Sequence, residues 1–367
     1  MISVCFIGDR SIYLKRICNY LAGKDFIVYL ICRHDNGIKI NEFDKRITIH
    51  TLKSNRLMRK MLEINSFLKK SHPDFVHYQY LAKDILLTLF ICRKFHVIAT
   101  PWGSDLNIFS KNIINRFIIN IGLLTCKKIQ IISEGIRKEF ERRFKFINKK
   151  KLVEISWGID YDKFHTVDDS KLQYWRNRLN IRESDIVILS YRNHKKLYNH
   201  HTLIKSLPIV LDNFQHVKCF FTRGSYDESY LENNKKLVSK LNIQNHVEFI
   251  EEWIPDALLP ALIHSAHIVV SIPFYDGLPS TLLEIMATKA IPVIGGLSVY
   301  SSFFRDNENG RILKEIEDYD QLAHLIIDII ENFHEYSERY SRINNNYVLK
   351  EQNWDLQKIK MQALYTL

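Results

Sequence analysis

Short apolar runs alternate with longer amphipathic stretches along the whole of this 367-residue chain. Such alternation is typical of parallel β-strands joined by crossover helices, and it predicts the α/β class. The strand-like runs of the first half are ISVCFIG, DFIVYLIC, RITIHTL, DFVHYQY, HVIATP and KIQIIS. Those of the second half are DIVILSY, VKCFFTR, HVEFIE, HIVVSIP and IPVIGG. We therefore expect two doubly wound, Rossmann-like domains with a boundary near 155–170.

Helical periodicity fills the intervals between these runs. Helices are predicted near 11–22, 55–71, 82–94, 108–125, 135–144, 199–212, 228–241, 255–265, 281–289 and 318–333, and the tail from Asn353 reads as a last amphipathic helix. A length of 367 residues agrees with about two domains by the usual size of domains.

Composition argues against a membrane-spanning protein and against a secreted one. The longest uncharged apolar runs, 85–92 and 117–126, are much shorter than the ~20 residues of a membrane span. The N-terminal MISVCFIG lacks a charged n-region and reads as a strand, so no secretory signal is expected. Six scattered cysteines without a C-x-x-C pair predict reduced thiols in a cytosolic protein.

Charge is distributed unevenly. Residues 1–160 contain 29 Lys and Arg against 14 Asp and Glu, a net +15, whereas the remainder contains 23 against 27, a net −4. The densest basic runs are 142–151 and 56–60. An anionic partner of the first half is one interpretation, either a cytoplasmic membrane leaflet or, less well, nucleic acid. A solvated, lysine-rich surface is the other.

The segment SIPFYDGLPSTLLEIMATKAIPVIG, 271–295, has two carboxylates around a Pro/Gly-rich loop and a helix start. The free N–H groups of a helix start suit a phosphate, and Glu284, one turn further on, could then reach the hydroxyls of a ribose. Two structural alternatives compete. Thr281 and Glu284 have capping-box spacing, and Asp276 before Gly277 suits a turn.

With this segment as its most specific part, the whole chain resembles the retaining GT-B glycosyltransferases of glycosyltransferase family 4. The longest continuous match is 251–287, and shorter ones are FIGDRSIYLKRICNYLA, 74–80, 100–106 and 156–164. The resemblance implies two Rossmann-like domains that face a central cleft. It implies an acceptor-side domain over 1–160, a nucleotide-sugar domain over 161–350, and a C-terminal helix, 351–367, that packs back on the first domain.

The same resemblance implies a donor site. Glu284 would bind ribose, and Asp276, where the family has Glu, would bind the transferred sugar. Arg192 and a lysine would neutralise the diphosphate, but Tyr198 stands at the usual lysine position, so Lys195 or Lys196 would have to reach back. The predicted catalytic residues are Asp276, Glu284, Arg192 and Lys196. The predicted donor-binding residues are Arg192, Lys195, Thr222, Gly224, Gly277, Leu278, Pro279, Ser280, Thr281 and Glu284.

Four residues of the first domain are expected on the acceptor side: Gly8, Trp102, Gly103 and Asp105. Gly8 would let the backbone approach the cleft. Asp105 follows a strand, where ligands of parallel sheets bind, although it could instead cap a helix. Trp102 and Tyr13 stand where many relatives have histidine. The histidine missing at Trp102 leaves no obvious general base. The retaining mechanism of front-face type that the resemblance implies can proceed without one, because the leaving phosphate can accept the proton of the acceptor.

No metal or other cofactor is expected. His194, His200 and His201 lack partners at metal-site spacing and read as surface polar residues. Asp160-Tyr-Asp162 lies in the predicted linker and Asp318-Tyr-Asp320 caps a late helix. The single glycine of FIGDRSIYL does not fit a dinucleotide-binding fingerprint.

Taken with this resemblance, the sequence predicts a cytoplasmic, metal-independent retaining glycosyltransferase, peripheral on the inner face of the cytoplasmic membrane. It would move a sugar from a nucleotide-sugar, UDP favoured, to a lipid-linked or cell-surface polysaccharide acceptor. The alternatives are a nucleotide-sugar epimerase on the same fold and a non-catalytic protein that binds membrane or nucleic acid. Nucleic acid is not the expected partner.

Overall fold

The computed structural model describes residues 1–103, 105–106, 112–277 and 280–366, except the side chains of residues 35 and 36. The chain divides into two compact units, Met1–Trp157 with Asp355–Leu367, and Gly158–Trp354. Each unit is built on its own parallel sheet, so the predicted α/β class with two doubly wound sheets is confirmed.

The first unit contains a seven-stranded sheet in the order β3-β2-β1-β4-β5-β6-β7. Its neighbouring strands pair in parallel, for example Val4 with Val28 and with Phe75. The strands are β1 Ser3–Arg10, β2 Ile27–Gly37, β3 Thr48–Thr51, β4 Phe75–Gln79, β5 His96–Thr100, β6 Lys128–Ile131 and β7 Leu152–Glu154. The short edge strand β7 is not among the predicted strands.

The helices of this unit follow the predicted intervals. They are α1 Ile12–Ala22, α2 Leu57–Ser71, α3 Thr88–Ile91, α4 Ile113–Thr125 and α5 Glu134–Arg143. The predicted helix over 82–94 is a 3₁₀ turn, Lys83–Leu87, that runs into the short α3. Ser11 and Ser133 cap α1 and α5 through their hydroxyl oxygens, which accept backbone N–H bonds.

The C-terminal segment is anchored in the first unit. Tyr365 is fully buried, its hydroxyl is 2.6 Å from Nδ1 of His77, and its ring lies edge-on to Phe6 and Phe75. Burial lowers the pKa of His77 to about 3, so this histidine is neutral at pH 7. The segment is thus part of the core of the first unit.

The second unit contains a six-stranded parallel sheet in the order β10-β9-β8-β11-β12-β13. Its strands are β8 Ile186–Ser190, β9 Val217–Thr222, β10 Val247–Ile250, β11 Ile268–Ser271, β12 Ile291–Gly295 and β13 Arg311–Leu313. Its helices are α6 Tyr161–His165, α7 Asp169–Arg178, α8 His200–Asn213, α9 Glu228–Lys240, α10 Leu259–His264, α11 Ser280–Met286, α12 Tyr319–Glu331 and α13 Phe333–Tyr347. Trp354–Ala363, α14, leads back into the first unit. The sequence did not predict α6, α7, α13 or β13.

Alternate residues of β8 belong to two separate hydrophobic clusters. Val187 and Leu189 pack in one cluster with Trp175 and Met286, whereas Ile188 packs in the other. Because side chains of a strand alternate between the faces of a sheet, both faces of this sheet are covered. That explains why its strands read as continuous apolar runs.

All six cysteines are free thiols, and Cys92 is the least buried of them. Among the described residues, no helix is both long and apolar enough to span a bilayer.

Candidate functional site

The strand order of the second sheet reverses between β8 and β11. Ligands of open parallel sheets bind beyond the carboxyl ends of the strands at such a reversal. Tyr191 and Arg192 directly follow β8, the loop with Asp276 follows β11, and Glu284 lies on α11 just after that loop. The topology therefore brings the two carboxylates and the arginine together at one edge.

Arg192 and Asp276 form an ion pair with 2.7 Å between Nη2 and Oδ2, and their side chains are only 8% and 14% exposed. Tyr300 donates its hydroxyl to the same Asp276 oxygen at 3.2 Å, and the Tyr198 ring lies 4.5 Å from the guanidinium carbon. Burial works to lower the pKa of Arg192, but Asp276, with Tyr198 and Tyr300, raises it on balance. Arg192 is thus a permanent cation.

Nη1 of Arg192 is buried and has no hydrogen-bond partner among the described residues. A buried donor without a partner is costly, and native proteins rarely leave one. An anionic ligand oxygen is the chemically suitable partner for this nitrogen, because guanidinium geometry fits oxyanions.

Glu284 lies next to Tyr191, whose hydroxyl is 2.7 Å from the Thr281 carbonyl oxygen and 3.2 Å from Oε2 of Glu284. Burial raises the pKa of the Glu284 carboxyl to about 7, and the hydrogen bond with Tyr191 holds that rise back. The described residues of helix α11 are Ser280–Met286, so Thr281 lies inside the helix and not at the cap position that a Thr281–Glu284 box requires.

A pocket of about 210 Å³ opens beside Tyr191. The ends of β8, β9 and β10 line it, with Asn193, Thr222, Arg223, Gly224, Glu251, Glu252, Trp253, Ile254 and Leu259. Gly224 has φ +51°, and a Cβ there would lie 2.5 Å from Oδ1 of Asn193. That oxygen accepts the Ser225 N–H at 2.9 Å, so glycine lets the two turns touch.

The remaining predicted donor residues divide into three groups. Gly277 donates its N–H to Oδ1 of Asp276 at 2.8 Å, and Ser280 opens α11. Lys195 and Lys196 are exposed, and no hydrogen bond or ion pair in the described part of the chain links their ammonium groups to Asp276 or Glu284. Leu278 and Pro279 lie outside the described residues.

In the first unit, Asp105 is fully buried. Its carboxylate accepts backbone N–H bonds from Leu81, Trp102, Gly103 and Leu106 at 2.7–3.0 Å. Burial raises the pKa of Asp105, although these four donors act to lower it. A carboxylate in this position holds its own loop together, which opposes the predicted direct contact with an acceptor.

Trp102 is half-buried and donates its indole N–H to Gln79 at 3.0 Å. Its ring contacts Tyr13 and Trp157, with centroid distances of 5.5 and 5.4 Å. Gly8 is buried, and a Cβ there would lie 2.9 Å from that of Gln79, so packing inside the unit already requires glycine at this position. Gly103, at φ +101°, forms the turn around Asp105.

The interpretation of the histidines as surface residues is wrong for two of them. His194 and His200 are buried and stacked 4.5 Å apart beneath the Arg192–Asn193 turn, and only His201 is partly exposed. Burial lowers the pKa of His194 to about 4 and that of His200 to about 3, so both are neutral at pH 7. Among the described residues, no three metal-ligating side chains converge.

Three tyrosines of the site were not predicted as contacts of the carboxylates and the arginine: Tyr191, Tyr198 and Tyr300. Tyr191 had a usable signal, since it stands between a strand end and Arg192. Tyr300 comes from a turn 24 residues after Asp276 and had none. The Asp-x-Asp strings are helix caps, Asp160 for α6 and, as predicted, Asp318 for α12.

Comparison with known proteins identifies the family. The family model of glycosyl transferases group 1 matches residues 173–347, and that of glycosyl transferase 4-like proteins matches residues 3–134. Among curated proteins, none matches the sequence of this chain.

Solved structures match over nearly the whole chain. A glycosyltransferase from Rickettsia africae is 16% identical with a TM-score of 0.80, and the match covers 99% of this chain and 97% of that one. HepE of Anabaena, solved in complex with UDP, is 13% identical with a TM-score of 0.84 and full coverage of both chains. WaaG, a glycosyltransferase involved in lipopolysaccharide biosynthesis, is 12% identical with a TM-score of 0.78, also over the full length of both. The two family models together match most of the chain, so the chain belongs to the group 1 and 4-like glycosyltransferases, and the solved structures show its GT-B fold.

Proposed function

We propose that this protein is a retaining glycosyltransferase that transfers a sugar from a UDP-sugar to a lipid-linked or cell-surface polysaccharide acceptor. It would work in the cytoplasm, at the inner face of the cytoplasmic membrane. The nucleotide-sugar is a substrate, and neither a metal nor another cofactor takes part.

The Arg192–Asp276 pair is the observation that carries this proposal. A buried guanidinium with one unpartnered nitrogen suits the diphosphate of a nucleotide-sugar, and Asp276 beside it suits the hydroxyls of the transferred sugar. Glu284, linked to the pocket by Tyr191, suits the ribose. The pocket beyond Tyr191 leaves room for the base.

Uracil is favoured as that base by the complexes of a protein with the same fold. HepE was solved with UDP, with UDP and glucose, and with UDP-glucose.

The reaction needs little from the protein beyond placement and charge. The bond between the sugar C1 and the diphosphate oxygen breaks, and the acceptor oxygen bonds to C1 on the same face. The acceptor proton passes to the departing phosphate oxygen, so no side chain must act as general base. Arg192 stabilises the negative charge that develops on that phosphate.

Thermal-shift screening tests the donor class. The melting temperature should rise with UDP and UDP-sugars and stay unchanged with GDP-, ADP- and CMP-sugars, because a ligand that binds only the native state stabilises it. A rise with a different nucleotide would reject uracil. If no nucleotide-sugar raised the melting temperature at millimolar concentration, the donor site would be assigned wrongly.

A further inference from the structure

Helix α4, Ile113–Thr125, is apolar on nearly all sides, and Arg116 is its one charged residue. Its inner side packs into the first unit through Ile119, Gly122 and Leu123. Its outer side is apolar as well: Ile113 is 73% exposed and Phe117 is 64% exposed. A helix that is apolar all round normally lies in a core or in lipid, so this exposure calls for a partner.

A second segment extends this outer side. After α5 ends at Arg143, Phe144 turns inward against Phe140, whereas Phe146 points outward and is 83% exposed. Ile113, Phe117 and Phe146 line one shallow cavity of about 590 Å³ with Asn120. We call the surface formed by Ile113, Phe117 and Phe146 with the cations around it the α4 patch.

Cations surround these apolar side chains. The eight residues that line the cavity include Arg116, Arg142, Arg143 and Lys145 and no carboxylate. Glu139, just outside, pairs with both Arg142 and Arg143, so four cations face one described carboxylate. Arg116 and Lys145 are exposed.

From this arrangement we propose that the α4 patch seats the protein on an anionic lipid bilayer, with Ile113, Phe117 and Phe146 inserted among the lipids. Aromatic and aliphatic side chains ringed by Arg and Lys fit the interface, where apolar groups enter the acyl boundary and cations meet the headgroups. The α4 patch would thus be the surface that meets the membrane, and this inference rests on the proposed function, in which the acceptor is linked to a lipid.

A second copy of the chain fits the patch less well. A two-fold interface sets the same surface of both copies against each other, which would bring two clusters of cations together. An anionic bilayer offers the opposite charge over the whole patch.

Vesicle sedimentation tests the proposal. The native protein should sediment with phosphatidylglycerol-containing vesicles and not with pure phosphatidylcholine vesicles at low salt. The variant Ile113→Ser/Phe117→Ser/Phe146→Ser should partition at least about tenfold more weakly, since bound apolar area sets the affinity. Arg116→Gln/Lys145→Gln should bind more weakly and lose part of the salt dependence.

Met58→Ser/Leu62→Ser is the matched control. Both side chains are exposed on α2 of the same unit, at 69% and 64%, beside Arg59 and Lys60. This control should bind vesicles within about twofold of the native protein, because its area lies outside the α4 patch. Equal losses in both variants would reject the patch in favour of a diffuse basic surface.

Three further results would overturn the proposal: unchanged sedimentation of the triple variant, a native dimer that this variant dissociates, or retention on nucleic acid that it abolishes. Titration with UDP distinguishes a failure of the membrane contact from a failure of the proposed function. UDP binding that persists in the triple variant assigns the loss to the membrane contact. A protein that sediments with anionic vesicles but binds no UDP would refute the donor site and leave the patch standing.

Discussion

Arg192 and Asp276 are held together in surroundings that almost exclude water, and the two have different neighbours. Asp276 is hydrogen-bonded by Arg192, Tyr300 and the Gly277 N–H, whereas Nη1 of Arg192 has no described hydrogen-bond partner. Removing one member of a buried pair leaves an uncompensated charge, which typically costs about 3–5 kcal/mol. Conservative substitutions are therefore the informative ones at this site.

Glu284 should make the stability of the unliganded protein depend on pH. Its pKa in the folded state is about 7, above the ordinary 4.5, so its stabilising contribution is complete below about pH 4.5 and is lost as the pH rises through 7. Glu284→Gln keeps the neutral form at every pH. Relative to the native protein, this variant should therefore gain unfolding free energy between pH 5 and pH 8.

Urea denaturation at both pH values measures this difference, with Glu308→Gln, an exposed partner of Arg305, as control. If Glu284 acts chiefly as an ionised helix cap, the variant would instead lose stability relative to the native protein as the pH rises.

At the residue scale, sequence reasoning chose Arg192, Asp276 and Glu284, and the structure brings these three to one edge of a sheet. It could not find Tyr300, because a contact across 24 residues that include α11 and β12 leaves no local pattern. It mistook His194 and His200 for surface residues, since a polar side chain under a turn looks like any other polar side chain in sequence. The roles of Arg192, Asp276 and Glu284 in donor binding stay predictions.

At the scale of elements, the loop that follows β5 depends on Asp105. Four backbone N–H groups converge on this buried carboxylate. Asp105→Asn would replace an acceptor by an NH₂ group that faces donors, and it should lower the unfolding free energy by about 1–3 kcal/mol. Affinity for UDP should stay unchanged, because Asp105 belongs to the other unit.

Asp318→Asn is the control for that substitution. Asp318 caps α12 through the Gln321 N–H, and asparagine caps helices about as well as aspartate, so this variant should be nearly neutral. A stable Asp105→Asn variant with weakened acceptor use would restore the predicted role of Asp105 as an acceptor contact.

The turn after β8 carries Arg192, the cation that we propose neutralises the donor diphosphate in place of a metal ion. Because Arg192 would neutralise the leaving diphosphate, turnover of the donor should continue in excess EDTA with little change. Loss of turnover in chelator that Mg²⁺ or Mn²⁺ restores would contradict this mechanism. Donor hydrolysis without acceptor provides the assay.

Element prediction succeeded where strands are covered on both faces, as for β8 and β11. It failed for β7 and β13, which are three-residue strands at the edges of their sheets. A three-residue strand is too short to show the two-residue alternation of side chains, and only its pairing with one neighbouring strand identifies it. Helix α13 was missed because its sequence, FHEYSERYSRINNNY, is largely polar and only Tyr340 and Asn344 are buried.

For the whole molecule, the alternation of strands and helices was enough to predict two doubly wound sheets, because parallel pairing demands crossovers. The charge imbalance between the halves was also visible in the sequence, but the sequence did not show which surface of the first unit binds a partner. Arg142 and Arg143 pair with Glu139, and Lys149 pairs with Glu141, so much of the basic run 142–151 is neutralised locally. Exposed apolar side chains of α4, which only the structure shows, single out the α4 patch.

Calorimetric titration with UDP and with uridine tests the central assignment most directly, since the two ligands differ only in the diphosphate. Arg192→Lys keeps the charge but not the planar fork, so it should weaken UDP binding about tenfold or more and leave uridine binding unchanged. Glu284→Gln should weaken both ligands alike, because both have the ribose. Native-like affinity of both variants for UDP, or equal loss of uridine binding in Arg192→Lys, would contradict the donor site proposed for the second unit.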